Sequence, residues 1–371
     1  MELTKTKSSR NVSLDLLRVI SMLMIILLHS IDHSGLYESL KQGTVMYYAE
    51  QFLFSAVQVC VNVFVLISGY FLINSTFKLK KLGLLWVEVV FYSLIIRVVM
   101  IALGQQPFSI SSIVSCFVPV ITGRYWFVTI YFGMYLLFPF LNKGLRALSK
   151  RQYKILICIL FVLFSVMISI HPQLKGMNSG ASWGLPWFVV LYITAGYFRL
   201  HYDFYKALKP MNCILVYFGV SLFSAICVVV GDISNIGLLK SATSNLLRYD
   251  SVASFIASIA LFVAFLNINM QKKSVSNSLI MKLSSATFGV YLIHAHADLF
   301  SREDVWLLVK IPTYMNEWWF VFYQIGVVFA VFVACTIIEI IRQWIFRIIR
   351  LDKFICFVSD TIENKIINQK V

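Results

Sequence analysis

Charge is scarce in this chain. Asp, Glu, Lys and Arg make up 13% of its 371 residues, against roughly 25% in a soluble domain. That deficit excludes an ordinary soluble protein, and with 59% hydrophobic residues and a mean hydropathy of +0.81 it points to a polytopic membrane protein. Acidic residues are scarcer than basic ones, 17 against 32, for a net charge of +15. In a soluble protein such an excess would suggest nucleic acid. Here the cations cluster in alternate short loops, so topology accounts for most of them and no nucleic-acid partner is expected. The seven cysteines lack a framework spacing, and Cys60, Cys158, Cys227 and Cys335 lie in apolar runs, where Cys behaves as a small hydrophobe. CxxC, HExxH and Cys/His clusters are missing, which leaves a metal site without support. Internal repeats, low-complexity linkers and long polar stretches are missing too. Residues 1–371 therefore read as one membrane domain with no fused soluble domain.

Aromatic residues are abundant, at 15% with 31 Phe and 18 Tyr, as lipid-facing surface and interfacial belts require. Apolar length marks ten candidate spans, at about 13–34, 49–73, 82–104, 125–141, 154–171, 184–200, 211–231, 250–267, 280–300 and 318–347. The expected fold class is an all-α membrane helix bundle of about ten transmembrane helices. Alternating those spans puts 23 of the 32 Lys and Arg on the N-terminal side. They include Lys78, Lys80, Lys81, Lys143, Arg146, Lys150, Arg151, Lys206 and Lys209. Seven fall on the other side: Lys41, Arg124, Lys175, Lys240, Arg248, Arg302 and Lys310. The bias predicts both termini in the cytoplasm. Lys5, Lys7 and Arg10 precede the first apolar run as in a signal peptide, but that run carries Arg18 and His29 and lacks a small-residue cleavage site, so it reads as a retained span. Val305–Val309 is apolar but too short to span, and suits a re-entrant or interfacial segment.

Arg18 and His29 are ionisable groups inside the first span, where such residues are costly and mark sites. Eleven residues place them roughly 20° apart around the helix and about 16 Å apart along it. A cation near the cytoplasmic end and an imidazole farther along the same face suit one long ligand. The plainer reading is a snorkelling Arg and a His bonded to a neighbouring helix. Asp15, three residues before Arg18, can pair with it and orient its planar fork toward phosphate; alternatively Ser13 or Asp15 simply caps the helix. Neutral His29 can take a proton from a hydroxyl. Ser68-Gly69 in the second span permits close helix packing or close approach of a ligand. In the third span, nine residues put Glu88 and Arg97 on opposite faces, so each needs another partner; Arg18 or a basic loop is within range of Glu88. Tyr125-Trp126-Phe127 beside Arg124, together with Trp183, Trp187, Trp318 and Trp319, reads as an interfacial belt or as surface for sugar rings. In the ninth span Tyr291 and His294 share a face, and His294 and Asp298, four apart, are spaced to bond.

In this order, Leu14-Asp15-Leu-Leu-Arg18 with His29 as Arg-x10-His, Phe64-Val-Leu-Ile-Ser68-Gly69-Tyr70, Tyr125-Trp126-Phe127 with Pro139, and Phe288-Gly289-Val-Tyr291-Leu-Ile-His294 resemble the acyltransferase 3 family of integral membrane acyltransferases. The resemblance runs over nearly the whole chain. It implies an enzyme moving an acyl group, usually acetyl, from cytoplasmic acyl-coenzyme A to a hydroxyl of an extracytoplasmic polysaccharide or lipid-linked sugar, without a metal. Arg18 and His29 map onto that family's acyl-transfer motif as catalytic residues. Tyr291, His294, Asp298 and Glu88 are expected to orient groups or stabilise an oxyanion. Lys78, Lys80 and Lys81 stand where relatives carry an Arg-x-x-Arg loop, and with Arg18 are expected to meet coenzyme A phosphates. The implied setting is a bacterial cytoplasmic membrane, with lipid and glycan-assembly proteins as partners. The competing class is a transporter or flippase of lipid-linked glycan, which would show repeat symmetry and discontinuous spans in both halves.

Overall fold

The computed structural model describes residues 11–171, 182–201, 205–270, 275–300, 306 and 309–368. Lys5, Lys7, Arg10, Lys175, Lys272, Lys273, Arg302, Lys370 and most of Val305–Val309 lie outside the described residues. The described residues contain no strand.

Helices occupy all ten expected segments. They are α1 (Val12–His33), α2 (Val45–Val57) with α3 (Cys60–Leu72), α4 (Leu79–Ala102), α5 (Trp126–Ala147), α6 (Lys150–Phe161), α7 (Leu185–Leu200), α8 (Pro210–Ile233), α9 (Val252–Asn267), α10 (Val275–His294) and α11 (Phe320–Ile348). A further helix, α12 (Leu351–Asn368), follows. Among the described residues, seven segments are long and apolar enough to cross a membrane: Val12–His33, Val45–Leu72, Leu79–Ala102, Lys150–Ile170, Pro210–Ile233, Gly237–Asn267 and Phe320–Ile348. The protein is a polytopic helical membrane bundle.

Local chemistry sets the helix ends. Asn11 caps α1, its side chain accepting from the Leu14 amide at 3.2 Å. This corrects the expectation of a Ser13 or Asp15 cap. Ser13 instead donates to the Ile268 carbonyl at 2.7 Å, and Asp15 serves other partners. A Ser149/Gln152 capping box opens α6, and prolines occupy the first turns of α7 and α8, where their missing N–H costs nothing.

The helices divide into two populations. Helices α4, α6, α8 and α11 expose Ile95, Val99, Ile159, Phe223, Val333 and Ile337, the outward apolar surface that lipid requires. Helices α1, α3, α7 and α9 are largely buried. At 16 residues α7 is about 24 Å long, shorter than the hydrocarbon core. Its buried Trp187, Phe188 and Val190 through Phe198 pack on neighbouring helices, so it need not match the bilayer thickness. Gly69 of α3 makes this approach close: a Cβ there would lie 3.0 Å from the Tyr192 Cα and the Ala195 Cβ of α7. Of the two roles open to Ser68-Gly69, Gly69 takes the packing role. Helix α1 lies against α3, α9, α10 and α11, so the face carrying Arg18 and His29 looks inward.

Candidate active site

Arg18 and His29 line one cavity of about 330 Å³. Its walls come from α1 (Arg18, Met22, Ile25, Leu28, His29), α3 (Val61, Phe64, Ser68), α4 (Leu85), α5 (Trp126, Phe127, Tyr131), α10 (Ser284, Thr287, Phe288, Tyr291) and Tyr249. The same-face spacing in the first span therefore has a physical outcome: both groups escape lipid by facing an interior space.

At the end that the charge bias assigns to the cytoplasm, Asp15 is buried and takes one guanidinium nitrogen of Arg18 at 3.1 Å. The same carboxylate accepts from Ser284 Oγ of α10 at 2.8 Å. The Arg18 guanidinium also stands 5.4 Å from the Phe71 ring centroid. The arginine is thereby held in place, with a side chain still 29% accessible. Asp15 is a positioning group rather than a helix cap.

At the other end, the His29 ring centroid is 5.2 Å from that of His294 and 6.0 Å from that of His33. His294 Nδ1 is 2.6 Å from the Val290 carbonyl oxygen. A carbonyl only accepts, so Nδ1 carries the proton and Nε2 is left with its lone pair. Tyr291 is one turn below, its ring 6.2 Å from His294, and it packs on Phe127 at 5.6 Å and Tyr125 at 6.0 Å.

The other expected site residues fall elsewhere. His294 and Asp298 do not bond as their spacing suggests, because α10 ends at His294 and the chain turns away. Asp298 pairs instead with Arg97 at 2.7 Å, lies 4.0 Å from Arg124, and its backbone N–H donates to His296 Nδ1 at 3.0 Å. This supplies the partner that Arg97 needs. Glu88 meets neither Arg18 nor a basic loop; it pairs with Arg342 of α11 at 3.0 Å. Arg342 also binds Glu339, which accepts from Tyr92 at 2.7 Å and from Gln343 at 2.7 Å. Neither Glu88 nor Asp298 is in the cavity wall. Lys78, Lys80 and Lys81 are absent from it too; their segment lies beside α12, where the Leu79 amide donates to Glu363 at 3.0 Å.

Sequence reasoning passed over Tyr131, Tyr249 and Thr287 as cavity groups, and Glu339 and Arg342 as a buried cluster. The i, i+3 spacing of Glu339 and Arg342 inside an apolar run was the available signal. Tyr249 gave none, since it precedes a helix in a loop.

A family model described as an acyltransferase domain, that of acyltransferase 3, matches residues 11–340. The chain belongs to this acyltransferase family. The match covers nearly the whole chain and includes every residue of the cavity wall. No curated protein and no solved structure matches the chain. This acyltransferase thus joins a helical membrane bundle to an interior cavity that holds the Arg-x10-His pair.

Proposed function

We propose that the protein is a membrane O-acyltransferase that takes an acyl group, acetyl in the simplest case, from cytoplasmic acyl-coenzyme A. The group passes to a hydroxyl of an extracytoplasmic polysaccharide or lipid-linked sugar. The observation that carries this reading is the single cavity lined by Arg18 and His29. About 16 Å of helix separates the two, a distance that a pantetheine arm spans and a small metabolite does not.

The cavity size fits an arm rather than a whole cofactor. Ligand pockets run from roughly 300 to 1,000 Å³, and about 330 Å³ lies at the lower end. The nucleotide would stay at the cytoplasmic mouth, with the planar fork of Arg18 meeting its phosphates; Lys78, Lys80 and Lys81, outside the cavity wall, would add only positive charge on that side. The apolar wall of Met22, Ile25, Leu28 and Phe64 would take the arm.

In the direct form of the reaction, His29 removes the proton of the acceptor hydroxyl as its oxygen attacks the thioester carbonyl. The tetrahedral oxyanion collapses, the C–S bond breaks, and the thiolate leaves and takes up the proton from imidazolium. In the two-step form, His29 nitrogen attacks the thioester carbonyl first, the C–S bond breaks, and the thiolate leaves and takes a proton from solvent; the acceptor hydroxyl then attacks the acyl-imidazolium, its proton passes to solvent, and neutral His29 is restored. In both forms His294 Nε2 would accept from His29 and hold its ring, since its Nδ1 is tied to Val290. Tyr291 is the proposed donor to the oxyanion.

The test uses proteoliposomes loaded with radiolabelled acetyl-coenzyme A and extracts of bacterial surface glycan outside. Label should move to the outer glycan with native protein and not with His29→Ala. Equal transfer by both proteins would sink the reading.

A further inference from the structure

We propose that Trp126, Trp183 and Tyr249 form the acceptor subsite, an aromatic platform on which one pyranose ring of the acceptor stacks while its hydroxyl reaches His29. The assignment rests on the acyl-transfer reading above and goes beyond it by naming where the sugar sits.

The three rings come from distant parts of the sequence. Trp126 opens α5, Trp183 precedes α7, and Tyr249 precedes α9. Each therefore stands at a helix start that the charge bias assigns to the outer face. Trp126 lies 5.1 Å from Trp183 with 29° between the ring planes, and 6.2 Å from Tyr249 with 21° between them. Trp183 and Tyr249 are 6.3 Å apart. An interfacial belt places single aromatics outward at lipid headgroups. These three converge on each other, and two of them, Trp126 and Tyr249, line the cavity that holds His29. Trp183 continues the cluster to the surface, with 51% of its area accessible.

The backbone of Tyr249 is anchored from behind. Asn62 of α3 donates to the Tyr249 carbonyl at 2.8 Å, and Trp187 Nε1 donates to Asn62 Oδ1 at 3.0 Å. The charges beside it are spent on one another. Arg248 grips Asp250 through two bonds of 2.9 Å, and Arg124 faces Asp298 and His296. An aromatic cluster flanked by compensated charges suits the C–H face of a neutral sugar better than an adenine carrying phosphates. It also places the sugar on the opposite side of the cavity from Arg18, so donor and acceptor approach His29 from different ends.

The experiment uses full-length protein in lipid nanodiscs as native, Trp183→Ala and Trp183→Phe forms. Saturation-transfer NMR is recorded with methyl glycosides of glucose, galactose, N-acetylglucosamine and rhamnose, and separately with AMP. Equilibrium binding of radiolabelled acetyl-coenzyme A and the melting temperature are measured on the same samples. The subsite predicts saturation of ring C–H protons of at least one glycoside with native and Trp183→Phe protein. That signal should fall at least threefold with Trp183→Ala, while acetyl-coenzyme A binding holds. Saturation of AMP but of no glycoside, no glycoside signal with native protein, or an undiminished signal with Trp183→Ala would each overturn it. So would loss of acetyl-coenzyme A binding and a lowered melting temperature in Trp183→Ala, which would make Trp183 a structural residue. Glycoside binding without acetyl-coenzyme A binding in the native protein would support the subsite and sink the transfer reading alone.

Discussion

At the residue scale two imidazoles have different duties. His29 lines the cavity and His294 stands behind it, with its tautomer fixed by Val290. Removing His29 takes away the reacting group, so His29→Ala should lower acyl transfer by at least 100-fold, consistent with the 10²–10⁴-fold that general acid–base catalysis contributes. His294→Ala removes only an orienting acceptor. It should lower kcat by roughly tenfold with little change in KM for acyl-coenzyme A, and initial rates against donor concentration will show the split. The Arg18 and His29 pair was legible in the sequence because an ionisable residue in an apolar run needs a reason, and an eleven-residue spacing states which face it shares. The fate of Asp298 was not legible. Extending the ninth span to residue 300 keeps the helix running past His294, which brings His294 and Asp298 together; the helix in fact stops at His294 and Asp298 finds Arg97.

At the element scale the contact of α10 with α11 is set by one glycine and one buried charge cluster. A Cβ on Gly289 would lie 2.1 Å from a Glu339 carboxylate oxygen, so α10 approaches that carboxylate only because residue 289 has no side chain. Gly289→Val should force the helices apart and lower the melting temperature or the yield of monodisperse protein, whereas Gly219→Val, with open space around it, should do neither. Arg342 neutralises Glu88 and Glu339 together. Arg342→Met leaves the buried Glu339 and the half-buried Glu88 without their cation, and removing one partner of a buried ion pair costs about 3–5 kcal/mol. Adding Glu88→Gln and Glu339→Gln should restore much of the lost thermal stability, since uncharged partners need no cation; failure of the triple variant to recover would contradict the electrostatic account. The third and tenth spans are far apart in sequence, so apolar periodicity carried no sign that Glu88 would meet Arg342. What periodicity did carry was each helix itself, because lipid demands long apolar segments whatever their neighbours.

At the scale of the whole molecule, the ten segments read from apolar length all appear as helices, and α1, α3, α4, α5 and α10 wall the cavity. The cavity was only partly legible. One wall, that of α1, followed from helical spacing, but Tyr131, Thr287 and Tyr249 arrive by tertiary packing of α5, α10 and a loop, which no single-helix pattern encodes. The 23-to-7 bias of cations also predicts orientation. Reporter fusions after Lys143 and Lys209 should report the cytoplasm, and fusions after Lys41 and Lys240 the opposite side.

Whether one cavity carries a donor from Arg18 to His29 is decided by separating binding from chemistry. Protein in lipid nanodiscs should be assayed for equilibrium binding of radiolabelled acetyl-coenzyme A and for acyl transfer, as native, Arg18→Ala and His29→Ala forms. Arg18→Ala should weaken donor binding at least tenfold, while His29→Ala should bind the donor within twofold of native and transfer no acyl group. Donor binding indifferent to Arg18, together with transfer that survives the loss of His29, would contradict this route from Arg18 to His29.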